Sequence, residues 1–364
     1  MKRFNLASFV AASGLMLAAT TANAQIAGHN VVLVHGLQSA VLFEGQQTDE
    51  QLSQGGAAYW DDYWLDKGDY RLDWDTNDRV EGKTAERAYD VVMQLSDANA
   101  CANGCIFVTH STGDLITRYV FDNMDTWLEA AGKPALNVLA SIDLAGAGGG
   151  SELADLAVDL KQNDSWYLAP MKAAVSYFAG GTTTLPENLG TMYDLQVTTA
   201  RNIATTPNSI PRLRFVGGGD DAYKVTKAFL NGTDDSVVAL HSSCGAINAR
   251  GIDSCSTRVE MNGLVDSANG PDGLVYNNYP ILQGQGISHA GIVSFYGTTN
   301  AVDDELAYVR NSFSSNGLSV SFDTYVYDYK PWWYGYWSAA DQYQYVKGSG
   351  DKMVSEIIYD TFNQ

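Results

Sequence analysis

The stretch CIFVTHSTGDLITRYV at residues 105–120 constrains the fold more than any other part of the chain. Apolar, β-prone residues at 106–108 predict a short buried strand, and apolar residues from Leu115 onward recur at helical spacing. A strand, a five-residue turn and a helix form the context in which a G-x-S-x-G elbow presents a nucleophilic serine. The turn THSTG at 109–113 departs from that pattern at Thr109, and a plain Ser-Thr-Gly helix cap is the alternative interpretation.

A second segment, near the N-terminus, favours the catalytic interpretation of the elbow. Residues 30–34 (NVVLV) form an apolar β run that ends in His35-Gly36-Leu37. A buried strand followed by His-Gly is how the oxyanion loop of α/β hydrolases begins, because its backbone N–H groups must face a developing alkoxide. We therefore expect the N–H groups of Leu37 and Thr112 to form an oxyanion hole.

Ser111 would be the nucleophile, and a serine at neutral pH requires a base that takes its proton. The chain has five histidines, two of which flank the first predicted strand. We expect His110 to point away from its neighbour Ser111, and His241 lies close to the candidate acids. His289 follows every candidate acid, as the order serine, acid, histidine requires. The sequence favours His289 as the base, with His241 as the alternative.

The rest of the chain alternates predicted strands with helical stretches. Strands are predicted at 137–144 and 212–216, and a helix at 84–95 precedes the elbow strand. This alternation predicts an α/β fold with a mostly parallel central sheet flanked by helices, and functional residues at the carboxyl ends of its strands. Residues 25–364 are expected to form one domain. The segment at about 156–200 is predicted to be a lid or cap insertion.

The first 24 residues have the pattern of a secretory signal peptide, with a basic start, an apolar core and Ala22-Asn23-Ala24 as the cleavage site. The apolar core is shorter than the ~20 residues of a membrane span, so we expect a secreted or periplasmic protein. Loss of Lys2 and Arg3, with no carboxylate lost, changes the formal net charge from −20 to −22. So acidic a chain is expected to repel nucleic acid and anionic membranes and to take a neutral substrate.

Four cysteines lie in two local pairs, Cys101 with Cys105 and Cys244 with Cys255. An even number of cysteines in an exported chain predicts disulfides. Zinc is the alternative, and it is disfavoured because neither pair has C-x-x-C spacing and no histidine cluster accompanies them. We therefore predict the disulfides Cys101–Cys105 and Cys244–Cys255 and no metal site.

Five segments, taken in order, resemble the bacterial secreted lipases of lipase family I, in the α/β-hydrolase superfamily. They are VVLVHGL (31–37), AYWDDYW (58–64), THSTGDLITRYV (109–120), SIDLAGAGGGSELADL (141–156) and DDSVVALHSSCG (234–245). The resemblance implies an α/β-hydrolase fold and Asp235 as the acid of the triad, since the Ser-Val-Val after it matches the family position. Asp234, Asp220 and Asp221 remain alternatives.

The chain departs from this family at several positions. Thr109 replaces the elbow glycine, and Asp114 stands where glycine or alanine is usual. Ala147-Gly148 replaces the Pro-His that normally precedes the Gly-Ser turn. Many members carry a calcium-binding aspartate just after the catalytic histidine, and His289-Ala290-Gly291-Ile292 lacks it. We expect no cofactor, with calcium as the alternative that the resemblance implies.

Taken together, the sequence predicts a secreted lipase or carboxylesterase with the triad Ser111, Asp235 and His289. The expected substrate is a lipid or another hydrophobic carboxylic ester, with transient contact at a lipid interface, and the sequence does not indicate an oligomeric state. The apolar segment at 165–178 is predicted to lie over the site as a lid, or else to be a core helix. The alternatives for function are a polyesterase or acyltransferase with the same triad, and an inactive hydrolase-like binding protein.

Two further stretches are interpreted without a catalytic role. The glycine run at 146–150 lacks a phosphate-binding pattern and is interpreted as a flexible turn. The extension at about 293–364 is longer than the family usually has. Its aromatic-rich segment at 329–345 is interpreted as a flap over the sheet, with a platform for a polymer or lipid as the alternative.

Overall fold

The structure, a computed structural model, describes most of the chain from residue 25 onward. The described residues are 25–163, 169–178, 185–205, 210–219, 225–232, 234–246, 249, 278–284, 286–294, 305–329 and 341–364. The predicted signal peptide and Cys255 lie outside them, as do Asp220, Asp221 and most of the aromatic-rich segment at 329–345.

The described residues form a nine-stranded sheet. Its strands are β1 (Asn30–Val34), β2 (Tyr70–Leu72), β3 (Cys105–His110), β4 (Val138–Leu144), β5 (Arg212–Gly217), β6 (Asn278–Gly284), β7 (Glu305–Ser315), β8 (Leu318–Tyr329) and β9 (Asp341–Val346). Their spatial order is β2-β1-β3-β4-β5-β6-β9-β8-β7. All pairs from β2 to β9 are parallel, and only β8 pairs antiparallel with its two neighbours. The prediction of a mostly parallel sheet is confirmed.

Helices cover both faces of this sheet. In the described residues they are α1 (Asp49–Trp60), α2 (Ala85–Asp97), α3 (Thr112–Ala130), α4 (Glu152–Asn163), α5 (Ala169–Phe178), α6 (Val197–Asn202), α7 (Leu240–Ser243) and α8 (Val354–Phe362). The helices α2 and α3 pack on one face, and α8 and the C-terminal end of α1 pack on the other. No helix in the described part of the chain is long and apolar enough to cross a membrane.

The apolar run of β1 is buried on both sides because its side chains alternate between two cores. Val31 and Leu33 lie in the core beneath α8, whereas Val32 and Val34 lie in the core beneath α2 and α3. A strand with two covered faces is expected to be apolar throughout, as β1 is. Each fully buried aliphatic side chain contributes roughly 1.5–3 kcal/mol relative to an exposed one.

The C-terminal extension, where it is described, adds a long β7–β8 hairpin to the sheet. The turn residues Asn316 and Gly317 both have positive φ, 50° and 84°, as the tight turns that match strand twist require. Phe313 and Phe322 of the hairpin are buried in the core beneath α8, and the Phe322 ring lies 5.1 Å from the Phe215 ring. The hairpin therefore extends the sheet and contributes side chains to the core beneath α8.

The segment predicted to be a cap contains α5, α6 and most of α4. Apolar residues of this region form a third buried cluster, the cap cluster, which is separate from the two cores under the sheet. Its members are Leu42, Leu153, Leu156, Ala157, Val158, Leu160, Ala174, Val175, Leu189, Met192, Leu230 and Ala239. Leu37, which follows β1, packs against the cap cluster and so joins it to the carboxyl edge of the sheet.

One of the two predicted disulfides lies within the described residues. Cys101 and Cys105 are joined across a separation of 4 residues, immediately before and at the start of β3. Cys244 is also disulfide-bonded, and Cys255, the partner predicted for it, lies outside the described residues.

The parallel sheet, the helices on both of its faces and the serine on the turn between β3 and α3 make this an α/β-hydrolase fold, as the sequence predicts. The carboxyl ends of β1, β3 and β6 lie at one edge of the sheet, since these strands are parallel. The loops that follow them carry Leu37, Ser111 and His289.

Candidate active site

Ser111 lies on the turn between β3 and α3, with φ 55° and ψ −125°. A positive φ is uncommon for a residue other than glycine, and it persists only where the surroundings hold it. The backbone N–H of Ser111 donates to the carbonyl oxygen of Leu144 at 3.1 Å, and the N–H of Ala147 donates to the carbonyl oxygen of Ser111 at 2.8 Å. The end of β4 thus holds the serine in its strained conformation.

Two glycines allow the close approach of β1 to the elbow. A Cβ atom on Gly113 would lie 2.1 Å from the carbonyl oxygen of Val34, so the first turn of α3 has no room for a side chain there. A Cβ atom on Gly36 would lie 2.6 Å from the Cβ of Ser111. Both distances are far below van der Waals contact, which explains the glycine after the serine and the His-Gly after β1.

Thr109, which replaces the usual elbow glycine, is fully buried and bound to the neighbouring strand. Its Oγ1 donates to Oδ1 of Asp143 at 3.0 Å, and the two residues are register partners in β3 and β4. Threonine is accommodated because its hydroxyl finds an acceptor along the sheet. The tight position of this elbow is Gly113.

Asp114, the second departure from the family pattern, is buried in an ion cluster with two arginines of β5. Arg212 donates through Nη2 to its Oδ1, and Nη1 of Arg214 lies 3.3 Å from its Oδ2. Nε of Arg212 also donates to Oδ2 of Asp143 at 2.9 Å. Burial raises the pKa of Asp114, but the guanidinium groups around it outweigh that effect and lower the pKa to about 2. The carboxylate therefore stays charged at neutral pH.

The glycine run at 146–150 packs around this carboxylate. The N–H of Gly148 donates to Oδ2 of Asp114 at 2.9 Å, and a Cβ atom on Gly146 would lie 2.6 Å from the same oxygen. All five residues of the run are buried. The run therefore has a packing role that its sequence did not indicate.

Asp235 and His289 form a hydrogen-bonded pair on two loops at the carboxyl edge of the sheet. Nδ1 of His289 lies 2.8 Å from Oδ2 of Asp235, and the backbone N–H of His289 donates to the carbonyl oxygen of Asp235 at 2.9 Å. Oδ1 of Asp235 accepts from the N–H groups of Val237, at 3.0 Å, and Val238, at 2.8 Å. Because the carboxylate only accepts, Nδ1 carries the proton, and Nε2 of His289 keeps its lone pair.

Ser111 and His289 face the same cavity, whose volume is about 400 Å³. Its lining residues are Leu37, Ser39, Tyr59, Asp62, His110, Ser111, Val237, His289, Ala290, Val293 and Ser294. No lysine or arginine is among these lining residues, and Asp62 is their only carboxylate. An anionic ligand would therefore find no counter-charge among the described residues that line the cavity.

The alternative base and acids have other partners or lie outside the described residues. His241 is fully buried, with Nε2 2.7 Å from Oε1 of Glu152 and Nδ1 2.8 Å from Nη2 of Arg201. It does not line the cavity. Oδ1 of Asp234 accepts from the N–H of Ser236 at 2.8 Å. The structure brings Ser111, His289 and Asp235 to one edge of the sheet and leaves His241 elsewhere.

The expectation that His110 points away from the site is wrong, because its side chain lines the cavity. Nε2 of His110 lies 3.0 Å from the carbonyl oxygen of His289, and the two imidazole centroids are 4.8 Å apart. The hydroxyl of Tyr59, at the end of α1, lies 2.5 Å from Nδ1 of His110. Since a carbonyl oxygen only accepts, Nε2 of His110 is the donor, and Nδ1 accepts from Tyr59.

Burial keeps both members of this contact uncharged. Burial lowers the pKa of His110 well below its ordinary value, and the neighbouring His289 lowers it further. Burial also raises the pKa of the Tyr59 phenol, against a backbone hydrogen bond with Gly36. A neutral imidazole and a neutral phenol are the forms that this hydrogen-bond pattern requires. Sequence reasoning missed Tyr59, whose position in the aromatic segment after the oxyanion strand was the available signal.

Of the two residues expected to form the oxyanion hole, Thr112 lies in the elbow itself and Leu37 lies on the loop after β1. Thr112 is the first residue of α3, and the first N–H groups of a helix have no partner within it. Leu37 lines the cavity beside Ser111. Helix N-termini favour negative charge, as an oxyanion hole requires.

The chain shows little that fits calcium near the base. Ala290, Gly291 and Ile292 follow His289 and carry no side-chain oxygen. Within the ranges that the structure describes, no group of three or more His, Cys, Asp or Glu side chains is arranged to hold a metal ion.

No protein-family model and no curated protein matches the chain. Solved structures do resemble it. The lipase BlEst2 of Bacillus licheniformis is 17% identical over 59% of this chain and 78% of its own, with a TM-score of 0.38. The lipase of Staphylococcus hyicus is 14% identical over 73% and 88%, with a TM-score of 0.39. Phospholipase PlaB of Legionella pneumophila is 19% identical over 73% and 55%, with a TM-score of 0.37.

These structures are two lipases and a phospholipase. Their identities and TM-scores are too low to assign the chain to a family or an activity. The assignment of the fold therefore rests on the strand order and on the elbow. Only the geometry of the site bears on the function.

Proposed function

We propose that this protein is a serine ester hydrolase with the triad Ser111, Asp235 and His289. The observation that carries the proposal is the hydrogen bond between Nδ1 of His289 and the buried carboxylate of Asp235, beside a serine held at positive φ. A nucleophile, a base whose free nitrogen keeps its lone pair, and an acid that fixes the tautomer of that base are the three parts that acyl transfer needs.

In the proposed reaction, Oγ of Ser111 attacks the carbonyl carbon of the ester while Nε2 of His289 takes the hydroxyl proton. The tetrahedral intermediate places its negative charge on the former carbonyl oxygen, which the N–H groups of Leu37 and Thr112 stabilise. Asp235 stabilises the imidazolium and holds the ring in place, and it remains ionised throughout.

The intermediate collapses when His289 gives its proton to the leaving alcohol, which departs and leaves an acyl group on Ser111. Water then attacks the acyl carbonyl, with Nε2 of His289 again as the base, and His289 returns the proton to Oγ of Ser111 as the acyl–serine bond breaks. The carboxylic acid that is released ionises in a cavity whose described lining includes the carboxylate of Asp62 and no lysine or arginine, which favours its departure.

The residues that line the cavity also indicate that the substrate is uncharged. The described lining offers hydroxyl, imidazole and apolar groups, one carboxylate and no arginine or lysine, so it suits a neutral carboxylic ester better than an anionic one. Lipids and other hydrophobic esters belong to this class. Export fits the Cys101–Cys105 disulfide, because disulfides persist in oxidising compartments, and the signal-peptide pattern supports it.

Hydrolysis of p-nitrophenyl esters of increasing chain length tests the proposal. The full chain is expected to hydrolyse them, and Ser111→Ala and His289→Ala are each expected to lower kcat by several orders of magnitude without loss of folding. Retention of the activity in Ser111→Ala would contradict the proposal. Retention in His289→Ala with loss in His241→Ala would reassign the base.

A lipase differs from a plain esterase in its response to a lipid surface, and the cap segment is where the difference would arise. Ala174 and Val175 of α5 are buried in the cap cluster, and no α5 residue with a described side chain lines the cavity. The discriminating measurement is the rate on a short-chain ester across its solubility limit. A sharp rise supports a mobile lid at a lipid interface, and a smooth saturation curve supports an esterase with a fixed cap.

A further inference from the structure

A second cavity lies at the surface where α2 packs against α3, and it shares no residue with the catalytic cavity. Its volume is about 430 Å³, which is within the usual range of small-molecule sites. Its lining residues are Ala85, Glu86, Tyr89, Asp90, Tyr119 and Trp127. Three aromatic rings and two carboxylates thus surround one cavity.

The ring of Trp127 contacts the rings of both tyrosines and is inclined to each of them. The ring centroids of Tyr89 and Trp127 are 5.9 Å apart with an interplanar angle of 74°. Those of Tyr119 and Trp127 are 6.1 Å apart with an angle of 56°. Tyr89 is 38% exposed, so the cavity opens to solvent. The faces of aromatic rings are negative and attract cations.

The charges around the rings have the same sign as their faces. Glu86 and Asp90 line the cavity and are exposed. Two more carboxylates act on Tyr119. Burial raises the pKa of its phenol, and the negative charges of Glu81 and Asp122 raise it further. No lysine, arginine or histidine is among the lining residues. The carboxylates therefore make the electrostatic potential in the cavity negative.

We propose that this aromatic cavity binds a quaternary ammonium group. A primary ammonium group is strongly hydrated and must place its N–H donors on acceptors, whereas three of the six residues that line this cavity are aromatic and both of its carboxylates are exposed to water. A trimethylammonium group has no N–H to satisfy, sheds its water readily and packs its methyl groups on the rings. Quaternary ammonium recognition by aromatic rings uses this combination of contacts.

The ligand that carries the group has two sources, a free choline-like molecule or the choline headgroup of a lipid surface. The test compares choline and tetramethylammonium with ethanolamine, which is choline without its three methyl groups, in calorimetric titrations of the full chain. We expect saturable binding of the first two, about 10-fold or more tighter than that of ethanolamine. Vesicles of phosphatidylcholine that displace choline would identify the lipid source, and inert vesicles would identify the free molecule.

Variants locate the binding. Tyr89→Ala changes an exposed ring and is expected to weaken choline binding about 10-fold, as is Trp127→Ala, while Trp127→Phe keeps part of it. The matched control is Tyr308→Ala, which removes a 54%-exposed tyrosine from β7 and should change nothing. Equal affinity for choline and ethanolamine, absence of binding, or full binding in Tyr89→Ala would each overturn the proposal. Ester hydrolysis by Tyr89→Ala should stay at the wild-type rate, so this test is independent of the proposed activity.

Discussion

Nε2 of His110 donates a hydrogen bond to the carbonyl oxygen of His289 over 3.0 Å. The residue before the proposed nucleophile thus contacts the backbone of the proposed base. On its other side, Nδ1 of His110 accepts from the hydroxyl of Tyr59 at 2.5 Å. The imidazole of His110 joins the end of α1 to the loop that carries His289.

Two substitutions at His110 separate these contacts. Glutamine can place an amide N–H near the position of Nε2 and keep the bond to His289, whereas asparagine reaches only the position of Nδ1. We expect His110→Asn to lower kcat by up to about 100-fold with KM nearly unchanged, because small displacements of a catalytic group have effects of this size. His110→Gln should retain most of kcat. Equal losses in the two variants would show that the contact with His289 does not position the base.

Asp235 and Asp234 are adjacent in the chain but have different partners, which makes them a matched pair. Asp235→Asn should lower kcat by about four orders of magnitude, because the amide favours the wrong tautomer of His289. Asp234→Asn should leave kcat within a few-fold of wild type, since Oδ1 of Asp234 accepts from the backbone N–H of Ser236, whereas Asp235 binds the imidazole of His289. Steady-state kinetics on a soluble ester measures both, and the reverse order of effects would make Asp234 the acid.

The ion cluster around Asp114 is expected to matter for stability. Asp114→Asn leaves the buried Arg212 and Arg214 with one carboxylate fewer, and removal of one partner from a buried ion pair costs about 3–5 kcal/mol of unfolding free energy. The control is Asp323→Asn, which breaks a surface pair with Arg310 and should cost less than about 1 kcal/mol. Urea unfolding measures both variants. A loss of less than about 1 kcal/mol of unfolding free energy in Asp114→Asn would contradict this expectation, because the buried arginines would then not depend on the charge of Asp114.

The stability of the fold should fall as the pH drops below 6.5. Burial lowers the pKa of both His35 and His110 in the folded protein, so below pH 6.5 the unfolded chain binds protons that the folded chain does not. Stability therefore rises with pH in this window, by up to about 1.4 kcal/mol per pH unit for each group. Urea unfolding at several pH values between 5 and 7.5 measures the slope. His110→Gln should flatten it, and an unchanged slope would contradict the assignment.

Asp114 contributes in a separate, more acidic window. Its folded pKa of about 2 lies below the ordinary value of 3.8, so its contribution is complete above pH 3.8 and is lost as the pH falls towards 2. Between pH 5 and 7.5 Asp114 therefore adds no slope to that of the histidines.

The strands and turns that carry the proposed catalytic residues could be predicted from sequence because each is a local pattern. An apolar strand followed by His-Gly, and a strand followed by a serine turn and a helix, fix where Leu37 and Ser111 lie relative to the sheet. The order of the residues then favoured His289 over His241. The identity of the acid remained open, because its four candidates all follow the β5 segment in the sequence and stand as adjacent pairs of aspartates.

The contacts that sequence reasoning missed join residues far apart in the chain. Arg212 and Arg214 meet Asp114 from about 100 positions away, and no local pattern pairs an arginine on one strand with a carboxylate on a distant helix. The β7–β8 hairpin is different, because its signal was present. Asn316-Gly317 between two runs of alternating apolar residues is a strong hairpin pattern, and it was overlooked in the extension.

The most direct test of the account is covalent labelling with a fluorophosphonate, which reacts only with a serine activated by a base. We expect stoichiometric labelling of the full chain, with the added mass on the peptide that contains Ser111. Ser111→Ala should lose the label, and His289→Ala should slow the labelling by orders of magnitude. A protein that hydrolyses no ester and stays unlabelled, or one labelled at another serine, would contradict the assignment of Ser111 as the nucleophile.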